Sequence, residues 1–186
     1  MALLTDVRQC GMSHIEVASP SRPAPGQRVE MAPAIQDTYP EDVAHCYGCG
    51  RLNDVGHQIK TRLAGDETIT EFTPETYHTA IPGFAYGGLV ASIIDCHSTG
   101  SAAIFQMQHA GKTVGSELSP RFVTVHLEVD YLLPTPLSEF RLVGRLVEIK
   151  GRKVVVETEL SVNGTVTATG SAVLVEIPEH LFDPKA

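Results

Sequence analysis

The sequence is short of positive charge and contains no long apolar run. Lysine and arginine number 14 against 22 aspartate and glutamate residues, which gives a formal net charge of −8. A nucleic acid would have to bind a local basic patch against the field of the whole molecule, so we expect no nucleic-acid partner. No uninterrupted apolar run approaches the roughly 20 residues that a membrane helix needs, so we also expect no membrane partner.

The first residues lack the charged segment and apolar core that mark a secretion signal, and we therefore expect a cytoplasmic protein with reduced thiols. The cysteines are Cys10, Cys46, Cys49 and Cys96. Only Cys46 and Cys49 have a suggestive spacing, and this pair offers two of the four ligands of a structural zinc site, with His45 and His57 as weak completions. The turn-rich residues that follow disfavour a thioredoxin-like redox pair. The sequence thus favours free thiols and predicts neither metal nor cofactor.

The length and composition fit one compact domain, because 186 residues with 42% hydrophobic and 19% charged content can bury a sizeable core. Residues 1–44 show no sustained periodicity and predict an extension. Its prolines are Pro20, Pro23, Pro25, Pro33 and Pro40. Residues 45–180 form the predicted domain.

The order of elements predicts an α+β fold. Residues 57–63 and 68–72 read as a hairpin around the turn-prone Gly65-Asp66, and residues 88–108 read as a long helix that is apolar nearly all round. Strands follow over residues 123–133, 140–149, 154–162 and up to about 177. We expect the second and third of these to be antiparallel neighbours, and Asn163-Gly164 predicts a type I′ turn. An antiparallel sheet would then wrap around one long central helix.

Strict alternation marks the first strand of this second half. Its apolar residues are Val123, Val125, Leu127, Val129, Tyr131 and Leu133. Thr124, His126, Glu128 and Asp130 separate them, a period of two that predicts one buried face.

The residues most suited to chemistry lie where the helix begins. Gly87 and Gly88 allow the backbone to approach a ligand, and the first N–H groups of a helix carry partial positive charge that polarises a carbonyl oxygen. Asp95 lies in the otherwise apolar segment that follows. A carboxylate there loses solvation unless it is hydrogen-bonded, paired or used. The alternative is a structural aspartate satisfied by its partners, and we favour a functional one because of the double glycine upstream.

Two motifs together resemble the hotdog-fold thioesterases of the PaaI-like branch over about residues 45–177. One is Cys46-Tyr47-Gly48-Cys49-Gly50 followed by Asn53 and Gly56, and the other is Pro82-Gly83-Phe84-Ala85-Tyr86-Gly87-Gly88 running into Asp95. The resemblance implies a hotdog fold and hydrolysis of an acyl-CoA substrate.

The resemblance also implies roles for single residues. The Gly87 N–H, beside Gly88, would polarise the thioester carbonyl, and Asp95 would act as general base or attack directly. Thr99 and Thr124 match polar positions that some relatives use. Tyr86 stands where the family usually has His and is a candidate for contacting substrate.

Helix geometry adds an expectation about assembly. Eight residues at 1.5 Å rise separate Gly87 from Asp95 by about 12 Å, whereas a reacting carbon must lie roughly 3 Å from its nucleophile and near its oxyanion donor. If both act on one carbonyl, they must come from two protomers. We therefore expect at least a homodimer, with a dimer of dimers left open.

The phosphates of coenzyme A suggest further contacts. Lys150, Arg152 and Lys153 form a basic turn, Arg121 and Arg145 are additional candidates, and His78 lies near the site in sequence. Two alternatives to an acyl-CoA thioesterase stay open: an acyl-thioester dehydratase or hydratase of the same fold, and a non-catalytic acyl-CoA-binding regulator, which Tyr86 favours and Asp95 disfavours.

Overall fold

The computed structural model describes residues 32–178. Two 3-10 helices, Ile35–Thr38 and Glu41–Val43, come first in this part of the chain. The remaining elements are β1 (Thr61–Ala64), β2 (Glu67–Phe72), β3 (Thr79–Ile81), β4 (Phe84–Ala85), α1 (Gly87–His109), β5 (Phe122–Tyr131), β6 (Phe140–Lys150), β7 (Lys153–Val162) and β8 (Thr165–Glu176).

Six of the strands form one antiparallel sheet in the order β1-β2-β6-β7-β8-β5, and β3 pairs with β4 separately. The long helix α1 packs against this sheet, which confirms the predicted α+β hotdog architecture. The β1–β2 hairpin and the β6–β7 pairing are confirmed as well. Asn163 and Gly164 have φ values of 50° and 80°, as a type I′ turn requires.

The helix α1 belongs to the core of the domain. Its length and apolar composition would also suit a membrane span, but most of the helix is buried inside the fold. Leu89, Val90, Ile93 and Ile94 in its first half pack against the strands. Burial of this kind is expected of a helix enclosed by a sheet.

The helix lies close against the sheet at glycines and small polar side chains. A Cβ at Gly144 would lie 2.7 Å from Nε2 of His97 in α1, and one at Gly170 would lie 2.5 Å from a methyl carbon of Ile94 in α1. Buried polar pairs between α1 and the sheet fill this interface: Thr68–Ser101, Thr70–His97 and Ser98–Thr158. Because each pair is directional, the interface fixes the rotation of α1 about its own axis.

The predicted buried face of β5 is wrong for its first residues. Val123 and Val125 are 46% and 59% exposed. A β-bulge between Thr124 and His126 is the reason, since it inserts one residue and shifts the alternation by one. Thr124 consequently points toward α1 before the bulge, and Leu127 and Val129 pack on the core after it.

The described chain begins before residue 45, the predicted start of the domain. Ile35 is fully buried in a core cluster, and the Gln36 side chain accepts a hydrogen bond from the Thr61 N–H at 2.8 Å. Most of the predicted extension, with Cys10 and three of its prolines, lies outside the described residues. The domain boundary stays a prediction.

Buried His97 generates a prediction about pH. Burial lowers its pKa from 6.5 to about 3, and its Nδ1 lies 2.8 Å from the Thr70 hydroxyl oxygen. Because protonation then favours the unfolded chain, the stabilising contribution is complete above pH 6.5 and is lost as pH falls toward 3. As the pH is lowered from 6.5, the free energy of unfolding should therefore decrease more steeply in the wild type than in His97→Asn. The difference in slope should be up to about 1.4 kcal/mol per pH unit.

Urea unfolding of both proteins between neutral pH and pH 4 measures this difference. His109→Asn, which changes an exposed histidine on the same helix, is the control and should keep the wild-type slope. Equal slopes in His97→Asn and the wild type would mean that His97 is not held neutral.

Candidate active site

The carboxylate of Asp95 is half-buried in the middle of α1 and is held by a neighbouring strand. The Thr124 hydroxyl donates a hydrogen bond to its Oδ1 at 2.5 Å. Thr99, one turn further along, donates to the Asp95 backbone carbonyl at 3.0 Å and lies 3.4 Å from the Thr124 hydroxyl. Among residues 32–178 the salt bridges do not include Asp95. The structure thus brings three of the predicted site residues together and leaves the carboxylate without a cationic partner.

A cleft of about 600 Å³ borders this carboxylate. The predicted residues Asp95, Thr99, Arg121 and Thr124 line it. Its other lining residues are Tyr39, Asp42, Val43, His45, Cys46, Cys49, Cys96, Phe122, Val123 and Ile177. The mixture of apolar walls and a few polar groups suits a small organic ligand.

The double glycine lies at the other end of the same helical segment. Tyr86 precedes α1 with extended backbone angles, Gly87 is its first residue, and both glycines are exposed. Helix geometry leaves the N–H groups of Gly87 and Gly88 without a partner inside the helix. The Tyr131 hydroxyl donates to the Gly87 carbonyl at 2.8 Å. Neither glycine lines the cleft beside Asp95, so one chain does not bring these two predicted groups together.

Glycine at position 88 gives space to Tyr86. A Cβ there would lie 2.6 Å from the ring of Tyr86. Tyr86 is 39% exposed. The ring therefore lies against the first turn of α1, away from the carboxylate of Asp95.

His78 occupies an aromatic cluster rather than the cleft. It is 7% exposed, its Nδ1 accepts a hydrogen bond from the Glu75 N–H at 3.0 Å, and its ring lies 5.1 Å from His57 and 4.5 Å from Tyr77. These contacts account for its burial. Its predicted role in binding substrate stays a prediction.

The predicted cations divide into two groups. Arg121 lines the cleft and forms an ion pair with Asp42 at 3.5 Å. The second group lies in or beside the β6–β7 turn and does not line the cleft: Lys150, Arg152 and Lys153. Lys153 pairs with Glu148 at 2.5 Å. Arg145 is held between two glutamates of the sheet, Glu67 and Glu159.

A second cleft of about 560 Å³ extends toward this basic turn. It shares Arg121 and Ile177 with the first cleft, and Gln106, which lines it, donates to the Gly151 carbonyl at 3.4 Å. A path along the surface therefore leads from Asp95 by way of Arg121 to the turn.

Three thiols lie together beside Asp95. The sequence did not predict this cluster. The sulfur atoms of Cys46, Cys49 and Cys96 lie within 4.8 Å of one another. Hydrogen bonds from the thiols of Cys49 and Cys96 to the Cys46 sulfur lower the pKa of Cys46. The same hydrogen bonds raise the pKa of Cys49 and that of Cys96. Cys96 follows Asp95 directly, but only the folding of the loop onto the helix reveals that it completes a cluster with the Cys-x-x-Cys pair.

The fold and the site define a class of protein. One helix enclosed by an antiparallel sheet, a double glycine at its N-terminus and a carboxylate beside a cleft are features of hotdog-fold proteins that act on acyl thioesters. Residues 82–169, which contain both glycines and Asp95, match the thioesterase superfamily. A thioesterase superfamily protein from Shewanella loihica is 45% identical, with a TM-score of 0.57 over 77% of this chain and 99% of that one. This chain belongs to the thioesterase superfamily.

Two further relatives are more distant or match a shorter segment. Acyl-coenzyme A thioesterase THEM4 of Xenopus laevis is 36% identical over 84 residues, which is 45% of this chain and 32% of that protein. The chain thus matches about a third of the length of this curated relative. A Bacillus halodurans protein, BH2602, solved with CoA, shares the fold at 20% identity and a TM-score of 0.51, over 66% of this chain and 76% of that one.

Thr124 generates a prediction about stability. Thr124→Val should lower the free energy of unfolding by about 1 kcal/mol, because a half-buried carboxylate loses its hydrogen-bond donor. Thr124→Ser keeps a hydroxyl and should stay closer to the wild type. Urea unfolding at neutral pH compares the three proteins. Equal stability of the Val and Ser variants would show that this hydrogen bond contributes nothing to the fold.

Proposed function

We propose that this protein is an acyl-CoA thioesterase of the PaaI-like branch, with Asp95 as general base and the Gly87 N–H as oxyanion donor. The observation that carries the proposal is the Asp95 carboxylate, held by Thr124 at 2.5 Å beside a cleft of about 600 Å³. Thioesterase chemistry follows from the family, and the acyl-CoA substrate is supported by the name of the Xenopus relative and by the CoA bound to the Bacillus protein.

The proposed reaction begins with a water molecule between Asp95 and the thioester carbon. The water oxygen bonds to the thioester carbon while Asp95 takes a proton from this water. The carbonyl oxygen becomes an oxyanion. A helix N-terminus stabilises this charge more strongly in the transition state than in the substrate. The carbon–sulfur bond then breaks, and the proton passes from Asp95 to the departing sulfur. The products are the free acid and the thiol of CoA.

The hydroxyls of Thr99 and Thr124 support this assignment. Thr124 uses one carboxylate oxygen of Asp95 as its acceptor, which restricts the rotation of the carboxylate and leaves the other oxygen for water. Thr99 lines the same cleft one turn further along. Both are positioning residues, since each acts through Asp95 or its water.

The CoA portion has a candidate path. Arg121 belongs to both clefts, and the second cleft adds Lys112 and approaches the turn that contains Lys150 and Arg152. Phosphate groups bind well to such guanidinium and ammonium groups. We propose that the thioester lies at Asp95 and that the phosphates extend toward this turn.

A dimer is required if both proposed groups act on one carbonyl. Gly87 and Asp95 lie about 12 Å apart along one helix, which is too far for a single reacting carbon. Strand β5 is the end strand of the sheet, with Val123 and Val125 half-exposed on it. Among residues 32–178 no strand pairs with the outer edge of β5, and such an edge with exposed apolar side chains favours association with a second copy. We propose that each site combines Gly87 of one protomer with Asp95 of the other.

The role of Asp95 is tested by Asp95→Asn. The variant should release CoA thiol from a panel of acyl-CoAs about 100-fold to 10,000-fold more slowly, because the amide cannot accept the proton from water. Asp66→Asn changes an exposed turn carboxylate and should match the wild type. Wild-type protein that binds acyl-CoA without releasing thiol would indicate a regulator, and a changing enoyl absorbance without thiol release would indicate a hydratase.

The role of the Gly87 N–H is tested by Gly87→Pro. Proline suits the first position of a helix, and extended Tyr86 suits the residue before it, so the change removes the N–H with little cost to the helix. We expect kcat to fall about 100-fold to 1,000-fold. Gly87→Ala keeps the N–H, and its Cβ would lie at an ordinary 3.4 Å from the Tyr131 ring, so it should lose much less activity than Gly87→Pro.

Mixing the two inactive variants tests the shared site. Half of the dimers in an equal mixture of Asp95→Asn and Gly87→Pro should contain one chain of each kind and one intact site, which restores about a quarter of the wild-type rate. Each variant alone should stay inactive. A mixture that stays as inactive as its components after verified subunit exchange would contradict a site made from two chains.

A further inference from the structure

The three-thiol cluster, formed by Cys46, Cys49 and Cys96, has the dimensions of a metal site. Its sulfur atoms lie within 4.8 Å of one another, and those of Cys46 and Cys96 are 3.8 Å apart. Tetrahedral zinc with Zn–S bonds of about 2.3 Å places its sulfur ligands about 3.8 Å apart. One ion can therefore contact the cluster with only small movements of the side chains.

The loop from Cys46 to Gly50 is built to present its sulfurs. The Gly50 N–H donates to the Cys46 carbonyl at 2.8 Å and closes a tight turn. This turn brings the sulfur of Cys46 within 4.8 Å of that of Cys49. Both cysteines of the Cys-x-x-Cys pair therefore face one point in space.

Glycine is required at two positions of this loop. A Cβ at Gly48 would lie 2.3 Å from the Cys96 sulfur, and a Cβ at Gly50 would lie 2.5 Å from the Cys46 backbone nitrogen. The loop therefore lies directly on the helix at Cys96. This close contact turns a two-ligand motif into a three-ligand site.

We propose that Cys46, Cys49 and Cys96 bind one Zn²⁺ ion as thiolates, releasing their protons to solvent. Thiolate ligands select zinc over the oxygen-preferring magnesium and calcium. Three protein ligands leave one tetrahedral position, and the cleft that the cluster lines supplies water to it. The ion would fasten the loop to α1 beside Asp95. This proposal does not depend on the proposed hydrolysis, since metal content is measured without substrate.

Metal analysis of the full chain tests the site. Protein purified with a phosphine reductant, incubated with zinc and dialysed against metal-free buffer should retain about one zinc per chain. Cys46→Ser and Cys96→Ala should each lower the retained zinc at least about tenfold. Cys10→Ser removes the one cysteine outside the cluster and should retain zinc like the wild type.

Cobalt provides a second measurement on the wild type, which does not depend on how a variant folds. Co²⁺ in place of zinc should give the near-ultraviolet charge-transfer absorption of thiolate ligands, and zinc should abolish it by competition. Reduced, folded wild-type protein that retains no zinc and gives no such absorption would overturn the proposal. Purified protein lighter by two hydrogens, with a Cys46–Cys96 disulfide and no metal uptake after reduction, would also overturn it and assign the cluster to redox chemistry.

Discussion

The arrangement of the whole site depends on how closely α1 lies against the sheet. Gly144 and Gly170 remove side chains from the facing strands, and hydroxyl pairs such as Thr68–Ser101 and Ser98–Thr158 occupy the space between. An apolar interface of smooth side chains would tolerate a rotated helix, whereas these pairs lose their hydrogen bonds if the helix turns. The rotation of α1 is thereby fixed, and with it the directions in which Asp95 and Cys96 point.

Patterns that are local in the chain predicted most of the fold. Alternation and the Asn163-Gly164 turn located the long strands within a few residues, and apolar composition located α1. The exposure of Val123 and Val125 was missed because a β-bulge leaves no mark in the pattern of hydrophobic residues. The same bulge makes Thr124, a polar residue in an alternating strand, the hydrogen-bond donor to Asp95. The sequence therefore identified the acid and, by resemblance, Thr124 as a polar candidate, and the fold showed that Thr124 holds the acid.

The three-thiol cluster shows the same limit at longer range. From the sequence, Cys46 and Cys49 offered two of the four ligands of a zinc site, with His45 and His57 as weak completions, and no pattern joined Cys96 to them. The contact between Gly48 and Cys96 joins segments about fifty positions apart, and no periodicity predicts it. By contrast, the separation of Gly87 from Asp95 follows from helix rise alone. Constraints within one element, and between strands joined by a tight turn, were accessible from the sequence. The contact of a distant loop with the helix was not.

Asp95 and Cys96 are neighbours in sequence, but they contact different walls of one cleft. Successive residues of a helix project about 100° apart, and here Asp95 contacts Thr124 of β5 while Cys96 contacts Cys46 of the loop. The β5 wall is held by the backbone hydrogen bonds between β5 and β8. The loop wall, residues 44–60, consists of turns without strands, so its distance from the helix depends on the contacts that fasten it there. On our proposals, the sulfur cluster therefore sets the width of the cleft beside Asp95, while Asp95 performs the proton transfer.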